Sequence, residues 1–536
     1  MTGQTAVGVA RRLVMGLLTH HVTDAVLAPG SRSGPLALAL AAADEQGLIR
    51  LHVRVDEREA GFLALGLAKA SRRLVPVVTT SGTAVANLHP AMLEALHADV
   101  PVLAVTADRP ARLRGTGANQ TTEQREIFPG VPFIERVKQL SGGPAHLNLE
   151  LDEPLVEPVA WQFSTGSSAR WAWQPAPPVV LESGPRTVVV AGDDARQPAR
   201  ILARDARWPL LAEPTSGSRN GESLVAYRQL LAHSPLADRI ERVVSFGHAT
   251  LTRPVTRLLA RTDIPIVHVG DQSTFPVPAG SNVRFVDQAQ LDPHQTGGAP
   301  VTLGGVAVAS ADTSAWLDDW LAADAVAVAA IEAQLDGSTP YDVARAVNAA
   351  VPPGGLLLVG SSSPVRDLDL VARPYPVGEK RLVIANRGLA GIDGVLSTAI
   401  GAALARPSGR AIAYVGDLTF LHGSNGLLIG PDEPRPDLTI VVASDDGGSI
   451  FTTLEQGAPE YAATFERVFA TPTGAELGSL CAGYGVGHRL VRPDELAGAL
   501  RDEPSGIEVL EVPVDRTGRR DLEARISAAV RTALAP

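Results

Sequence analysis

Short apolar runs alternate along most of the chain with segments whose apolar residues recur at helical spacing. Each run ends in small, polar or charged residues, as in Ala25–Gly30, Pro76–Gly82 and Ala411–Asp417. Such an alternation predicts βαβ units, and therefore parallel sheets covered by helices on both faces. Further strands are predicted over Leu51–Asp56, Pro101–Ala107, His146–Leu151, Thr187–Gly192, Arg242–Gly247, Ile264–Asp271, Leu356–Gly360, Arg381–Ala385, Leu438–Ser444 and Ile507–Val514, and helices over Glu59–Ser71, Ala84–Ala98 and Trp316–Leu335.

A chain of 536 residues is too long for one hydrophobic core. The runs fall into three blocks, so we predict an α/β fold of three doubly wound parallel-sheet domains, over residues 1–180, 185–335 and 340–536. A stretch containing Pro, Ser and Trp, from about Pro154 to Arg186, is interpreted as the first linker. Doubly wound sheets bind ligands beyond the carboxyl ends of their strands, and several unusual residues of this chain fall at such ends.

Composition narrows the class of protein. A net charge of -11 argues against a nucleic-acid binder, which is usually basic. Cys481 is the only cysteine, which excludes an intrachain disulfide and fits a cytoplasmic location. No stretch approaches the roughly 18 apolar residues of a membrane span. The apolar run Leu13–Leu18 follows two arginines and precedes two histidines, and it is interpreted as part of a first helix instead of a signal peptide.

Two predicted strands of the third block end in acidic loops. Gly416-Asp417-Leu418 follows one strand, and Asp445 stands 28 residues after Asp417, followed shortly by Gly447 and Gly448. A βαβ passage would bring both loops to one edge of the sheet, where carboxylates and a backbone carbonyl could hold Mg²⁺. The glycines would let the backbone approach a pyrophosphate. From spacing alone, acids that merely cap helices or turns are an equally good interpretation.

The pair Gly416-Asp417 with Asp445 resembles the metal motif of thiamine-diphosphate enzymes, and all three blocks resemble the SEPHCHC synthase family of menaquinone biosynthesis. This resemblance implies the pyruvate-decarboxylase-like superfamily, with a pyrimidine-binding, a central and a diphosphate-binding domain. It implies that 2-oxoglutarate is decarboxylated on thiamine diphosphate and joined, as a succinyl carbanion equivalent, to isochorismate. The implied metal ligands are Asp417, Asp445 and the carbonyl of Gly447, for Mg²⁺ with Mn²⁺ able to substitute. The implied cofactor contacts are Glu57, Gly416, Asp417, Leu418, Asp445, Gly447, Ile450 and Phe451.

Three positions depart from the family pattern. Asp445 stands where many members have Asn, Ser444 where an amide is common, and Gly423 where Asp is expected. An Asp in place of Asn keeps an oxygen ligand, so we expect metal binding to be retained. The other two departures affect fine positioning within the site.

An acidic pair begins the helix after the second predicted strand, in Val55-Asp56-Glu57-Arg58. On residue chemistry alone, such first-turn acids more often complement a helix dipole. The resemblance implies instead that Glu57 shares a proton with the ring nitrogen N1′ of the cofactor's aminopyrimidine. A buried glutamate with a raised pKa would suit that role.

Several arginines stand beside small residues at predicted strand ends, as in Gly30-Ser31-Arg32 and Asn386-Arg387-Gly388. The planar guanidinium binds both oxygens of a carboxylate, although a surface ion pair is the commoner role for any single arginine. The resemblance implies a substrate-binding set of Ser31, Arg32, Arg109, Asn119, Gln120, Ser362, Arg366 and Arg387, with Ile450, Phe451 and Leu454 as an apolar wall. Within that set, Arg366 and Arg387 are expected to bind 2-oxoglutarate. Without the resemblance, the three apolar residues would be interpreted as core.

Two other functions stay open at this point. One is another thiamine-dependent enzyme, a 2-oxo acid decarboxylase or acetolactate-type synthase, which the arginine set disfavours because pyruvate has one carboxylate. The other is a non-catalytic protein that kept the fold, which Glu57 and Asp417 disfavour. Thr187–Gly192 is followed by two aspartates and lacks a G-x-G-x-x-G motif, so no flavin is expected. The superfamily implies a homodimer or a dimer of dimers.

Overall fold

The computed structural model describes residues 5–164, 179–181, 184–270, 282–287, 289–291 and 311–535. These residues form an α/β structure in which the paired strands of each sheet run parallel. The predicted linker lies partly outside the described residues, because 165–178 and 182–183 are not among them.

The first block forms a six-stranded sheet in the order β2-β1-β3-β4-β6-β5. Its strands are β1 (Asp24–Leu27), β2 (Arg50–Val53), β3 (Val75–Thr79), β4 (Val102–Asp108), β5 (Phe133–Ile134) and β6 (Ala145–Glu150). Its helices are α1 (Ala6–Thr19), α2 (Gly34–Glu45), α3 (Glu57–Ser71), α4 (Thr83–Asn87) and α5 (His89–His97).

The middle block forms a five-stranded sheet in the order β12-β11-β10-β8-β9, with a separate pair, β13-β7. Its strands are β7 (Val179–Leu181), β8 (Thr187–Ala191), β9 (Leu210–Ala212), β10 (Arg242–Phe246), β11 (Ile266–Val269), β12 (Val283–Val286) and β13 (Ala289–Leu291). Its helices are α6 (Arg196–Ala206), α7 (Tyr227–His233), α8 (Arg253–Leu259) and α9 (Ala311–Glu332).

The last block forms a six-stranded sheet in the order β15-β14-β16-β17-β19-β18. Its strands are β14 (Leu356–Val359), β15 (Leu382–Ile384), β16 (Ala411–Gly416), β17 (Leu438–Ser444), β18 (Gly487–Leu490) and β19 (Ile507–Pro513). Its helices are α10 (Pro340–Ala350), α11 (Ser363–Val371), α12 (Val395–Leu404), α13 (Asp417–His422), α14 (Ala462–Phe465), α15 (Leu477–Gly483), α16 (Leu496–Ala499) and α17 (Arg519–Ala533).

The first and last sheets have the same strand order when their strands are counted from each sheet's own beginning. In both, the first strand lies between the second and the third, so the chain reverses its direction of winding between the first and third strands. Loops at the carboxyl ends of these two strands flank a crevice, which is where doubly wound sheets bind ligands. In the last sheet, the crevice lies between the ends of β14 and β16.

The predicted α/β fold and its predicted strands are confirmed, with bounds that shift by a few residues. The segment predicted as one helix over Ala84–Ala98 is two helices, α4 and α5. Pro90 stands at the second position of α5. Because proline has no N–H to donate to the preceding turn, a helix tolerates it at its start but not in its interior.

Helices α3 and α12 join the first and last blocks in direct backbone contact. A Cβ on Gly66 would lie 2.1 Å from the carbonyl oxygen of Thr398, and one on Gly401 would lie 2.3 Å from that of Leu63. Only glycine permits so close an approach at both positions. A continuous apolar core therefore runs from the first sheet into the last.

Candidate active site

A cavity of about 150 Å³ lies at the carboxyl edge of the last sheet, in the crevice between β14 and β16. The loop after β14, the start of α13 and the loop after β17 form most of its wall. The lining residues include Ser361, Ser362, Ser363, Gly416, Asp417, Leu418, Asp445, Gly447, Gly448, Ile450 and Phe451. The predicted convergence of the two acidic loops is therefore seen in the structure.

Asp417 is the first residue of α13 and is 5% exposed. Its Oδ1 accepts the N–H of Leu418 at 2.6 Å, and its Oδ2 accepts the N–H of Gly447 at 2.9 Å. Burial raises the pKa of this carboxyl group, while the two N–H groups act in the opposite direction. The hydrogen bond to Gly447 ties the two acidic loops together.

Asp445, just beyond β17, also lines the cavity. Burial raises the pKa of Asp445 to about 7; a hydrogen bond with Ser449 lowers it, and the charge of Asp417 raises it further. A shielded carboxylate whose ionised form is disfavoured by a second carboxylate is a suitable place for a cation.

The loop after β17 requires its glycines. Gly447 has a φ of +152°, and a Cβ there would lie 2.5 Å from the carbonyl oxygen of Ala470. A Cβ on Gly448 would lie 2.8 Å from both the ring of Phe451 and the carbonyl oxygen of Phe469. A larger residue would therefore clash at either position, and both glycines line the cavity.

The opposite wall carries a strained residue. Ser362 precedes α11 with a φ of +72°, which is uncommon for a residue with a side chain. Next to it, the hydroxyl of Ser363 lies 2.9 Å from that of Ser449, so the two loops are bridged by side chains. Ile450 and Phe451 line the cavity as predicted, and Leu454 lies half-buried one turn further on.

Three charged residues that the sequence did not single out, Asp367, Arg516 and Arg519, support the loops of this cavity. Arg516 donates to the backbone carbonyl of Asp445 at 2.7 Å, and Arg519 forms a buried ion pair with Asp367. Asp367 and Arg519 also line the cavity. Arg516 lies 71 residues from Asp445 in the sequence, and Arg519 lies 152 residues from Asp367, so no local pattern could have indicated these pairs.

The donor set fits a divalent cation held by few side chains. Mg²⁺ usually takes one or two carboxylates and completes its octahedron with substrate phosphates and water. Within the ranges that the structure describes, no cluster of three or more His, Cys, Asp or Glu side chains suited to a metal is found. A site of two aspartates, completed by backbone and ligand oxygens, agrees with the ligand preference of Mg²⁺ and with the lack of a larger cluster in the described ranges.

Glu57 does not line this cavity, whose described wall comes from residues 340 to 519. It is the first residue of α3, half-buried, and its carboxylate accepts a hydrogen bond from Asn87 at 3.3 Å. Asp56, beside it, is the N-cap of α3 and accepts backbone N–H groups of its first turn, so Asp56 has the ordinary role of an acid at a helix start. Arg58 donates to the carbonyl of His422 at 2.8 Å, which fastens this helix start to the end of α13.

The predicted substrate residues of the first block gather at the carboxyl edge of its sheet. Arg109 is buried and donates to Ser81 and to the carbonyl of Gln120. Arg32 donates to the carbonyl of Leu151 at 3.0 Å, and its charge, after burial, lowers the pKa of Arg109. The remaining members, Ser31, Asn119 and Gln120, are exposed.

The two arginines of the last block form a second pair. Arg366 donates to the carbonyl of Ser362 at 2.9 Å, and Arg387 donates to Thr250 of the middle block at 3.2 Å. Burial lowers the pKa of Arg366, and the charge of Arg387 lowers it further. Neighbouring buried guanidinium groups would be stabilised by a carboxylate placed between them.

Comparison with known proteins decides the family. Residues 8–127 match the family model described as the thiamine pyrophosphate enzyme, N-terminal TPP binding domain. A protein of Nocardioides sp. named 2-succinyl-5-enolpyruvyl-6-hydroxy-3-cyclohexene-1-carboxylate (SEPHCHC) synthase is 52% identical over 539 residues, covering 98% of each chain. The chain belongs to the SEPHCHC synthase family.

Further relatives with that name cover the chain almost completely. The SEPHCHC synthase of Kineococcus radiotolerans is 46% identical over 98% of each chain, and that of Paenarthrobacter aurescens is 44% identical over 100% of this chain and 99% of its own. The chain is therefore a thiamine-diphosphate-dependent enzyme of this family. Among the described helices, none is long and apolar enough to cross a membrane.

Proposed function

We propose that the chain decarboxylates 2-oxoglutarate and adds the resulting succinyl unit to isochorismate, as a SEPHCHC synthase of menaquinone biosynthesis. The observation that supports this most directly is the crevice between β14 and β16, where Asp417, Asp445 and the glycine loop converge. Identity with SEPHCHC synthases over nearly the whole chain supports the same reaction.

In this proposal, Asp417, Asp445 and the carbonyl of Gly447 hold Mg²⁺ or Mn²⁺, and the cation neutralises the cofactor's diphosphate. Gly416, Leu418 and the glycine loop bring backbone close to the phosphate oxygens. When bound, thiamine diphosphate supplies the electron sink that lets a 2-oxo acid lose its carboxylate. The apolar side chains of Ile450 and Phe451 exclude water on one side of this region.

Glu57 is proposed to hold a proton at N1′ of the aminopyrimidine. Because the cavity at Asp417 is lined by the last block, we propose that Glu57 reaches the cofactor of a second copy of the chain. A homodimer, or a dimer of such dimers, would then contain two equivalent sites related by a two-fold axis.

The two arginine pairs are proposed to bind the substrates' carboxylates. Arg366 and Arg387 would take the distal carboxylate of 2-oxoglutarate, which relieves the repulsion between their charges. Arg32 and Arg109, with Ser31, Asn119, Gln120 and Ser362, would take the remaining polar groups. This assignment separates the enzyme from an acetolactate-type synthase, whose pyruvate has no distal carboxylate. We further propose that no flavin is bound and that the enzyme is cytoplasmic.

Circular dichroism tests this proposal in one series. Apo-protein is titrated with thiamine diphosphate and Mg²⁺, and 2-oxoglutarate or pyruvate is then added, with and without isochorismate. We expect a cofactor signal that depends on both additions, a response to 2-oxoglutarate, and consumption of isochorismate only when 2-oxoglutarate is present. Equal use of pyruvate, or no consumption of isochorismate, would favour the acetolactate-type alternative.

A further inference from the structure

The loop that carries Arg387 runs from the end of β15 to α12, and its first part is buried. Ala385, Asn386 and Arg387 are each at most 3% exposed. A buried loop must satisfy its backbone N–H and C=O groups within the protein. Two of the side chains that do so, Glu94 and Lys69, come from the first block of the chain.

Glu94, on α5, holds this loop by two hydrogen bonds. Its Oε1 accepts the N–H of Gly388, and its Oε2 accepts the N–H of Leu389, both at 2.7 Å. Glu94 is 4% exposed, and its bond to Gly388 is buried while its bond to Leu389 is partly buried. A Cβ on residue 388 would lie 2.7 Å from the carbonyl oxygen of Glu94, which explains the glycine.

Lys69, on α3, holds the other end of the same loop. Its ammonium group donates to the carbonyl of Ala385 at 2.5 Å and to Asp193 at 3.2 Å. Burial raises the pKa of Glu94, while the charge of Lys69 and the two backbone N–H groups lower it. The backbone on both sides of Arg387 is therefore anchored to helices of the first block.

The side chain of Arg387 points instead to the middle block. Its Nη2 donates to Thr250, and its Nε is buried without a partner. Glu213, fully buried, accepts the N–H of Leu251 at 2.9 Å and attracts Arg387 electrostatically. Its Oε2 is likewise buried without a partner. The Nε–H of Arg387 thus has no hydrogen-bond partner. The direction in which the Arg387 side chain points depends on the position of the backbone at residue 387.

We propose that Glu94 is a positioning residue for substrate specificity, which fixes the backbone at Gly388 and Leu389 so that Arg387 reaches the distal carboxylate of 2-oxoglutarate. This inference rests on the proposed function, because it takes Arg387 as the group that binds that carboxylate. Glu94 does not line the cavity at Asp417, and its hydrogen bonds go to the backbone of Gly388 and Leu389; it therefore acts through the backbone. A displacement of about 1 Å in such a contact is enough to lower the rate substantially.

The test is a double-mutant cycle with Glu94→Gln and Arg387→Ala. Glutamine has nearly the same shape but one acceptor oxygen, so one of the two N–H groups loses its bond. We expect kcat/KM for 2-oxoglutarate to fall by about tenfold or more, mainly through KM, while the value for pyruvate changes little. In the Arg387→Ala background, Glu94→Gln should cause little further loss.

Two further variants make the result decisive. Asp44→Asn is the matched control, since Asp44 accepts the N–H of Leu51 at 3.0 Å within the first block, and it should leave the preference for 2-oxoglutarate unchanged. Gly388→Ala leaves Glu94 intact but pushes the loop away, and it should reproduce the loss even if Glu94→Gln folds poorly. Thiamine-diphosphate titration and thermal unfolding of each variant report folding separately.

These variants distinguish an error in the role of Arg387 from an error in the role of Glu94. If Arg387→Ala keeps the preference for 2-oxoglutarate, the role proposed for Arg387 is wrong, and this inference falls with it. If Arg387→Ala loses the preference but Glu94→Gln and Gly388→Ala keep it, only the positioning role is wrong. Losses that multiply in the double variant would also overturn it, because they would show that Glu94 acts independently of Arg387.

Discussion

At the scale of single residues, the cavity at Asp417 shows how carboxylates shielded from water favour the binding of a cation. Asp417 is buried and Asp445 is half-buried, and the charge of Asp417 disfavours the ionised form of Asp445, an effect that the charges of Arg519 and Arg516 oppose. A cation is the natural complement of such a pair.

Asp417→Ala should abolish thiamine-diphosphate binding, because the diphosphate loses the cation that neutralises it. Asp445→Asn should retain binding within about tenfold, since the amide oxygen still suits an octahedral Mg²⁺. Titration of each apo-variant, followed by circular dichroism or intrinsic fluorescence, measures both affinities. Tight binding by the Asp417 variant in the presence of a chelator would contradict the metal assignment.

Glu57→Gln should leave folding and cofactor affinity nearly unchanged and lower kcat by about 10²–10⁴-fold, the usual contribution of a positioned proton donor or acceptor. The matched control is Glu45→Gln at the end of α2, an exposed acid outside the site. Steady-state kinetics with 2-oxoglutarate and isochorismate give the comparison. Wild-type turnover by the Glu57 variant would remove this residue from the mechanism.

At the scale of elements, α3 and α12 pack so closely that they bury a carboxyl group between them. Glu59 is 1% exposed, and its Oε2 accepts the hydroxyl of Ser397 at 2.6 Å. Burial raises the pKa of Glu59 to about 7; the hydrogen bond from Ser397 and the charge of Arg58 lower it. The interface therefore carries a group that is partly protonated near neutral pH.

This raised pKa predicts how stability depends on pH. The folded protein binds the Glu59 proton more tightly than the unfolded chain, whose glutamate has a pKa near 4.5. Between that value and about 7, the free energy of unfolding should therefore fall as pH rises. Glu59→Gln should raise the melting temperature at pH 8 and change it little at pH 4.5, as thermal unfolding at both values would show. An equal change at both pH values would be contrary to this.

Element-level features were predicted from the sequence to different degrees. Strand positions follow from local apolar runs, and the meeting of Asp417 with Asp445 follows because parallel strands share a carboxyl edge. Arg516 bonds Asp445 from 71 positions away in the sequence. Glu94 bonds Gly388 from 294 positions away. No periodicity links such positions. The positive φ of Ser362 was also beyond prediction, because serine has no preference for that conformation.

At the scale of the whole molecule, the described wall of the cavity leaves Glu57 outside it, which supports a site shared between two chains. Mixing inactive Glu57→Gln subunits with inactive Asp417→Ala subunits should then restore activity. A hybrid dimer would contain one site with both residues intact, so random exchange should recover about a quarter of wild-type activity if half of the dimers are hybrids, each with one working site of two. Mass spectrometry of differently tagged subunits measures exchange. Complete exchange without recovered activity would place Glu57 and Asp417 in the same chain's site.

The contact between α3 and α12 also has a consequence for synthesis on the ribosome. The residues of α3 from Glu59 to Lys69 are buried, yet Ser397, which bonds Glu59, lies 338 positions later in the chain. At about 5–20 residues per second, α3 waits on the order of twenty seconds to one minute for its partner helix to be made. During that time the apolar surface of α3 that packs on α12 is exposed, so early termination of translation would release an aggregation-prone fragment. Completion of the chain lets α12 bury that surface.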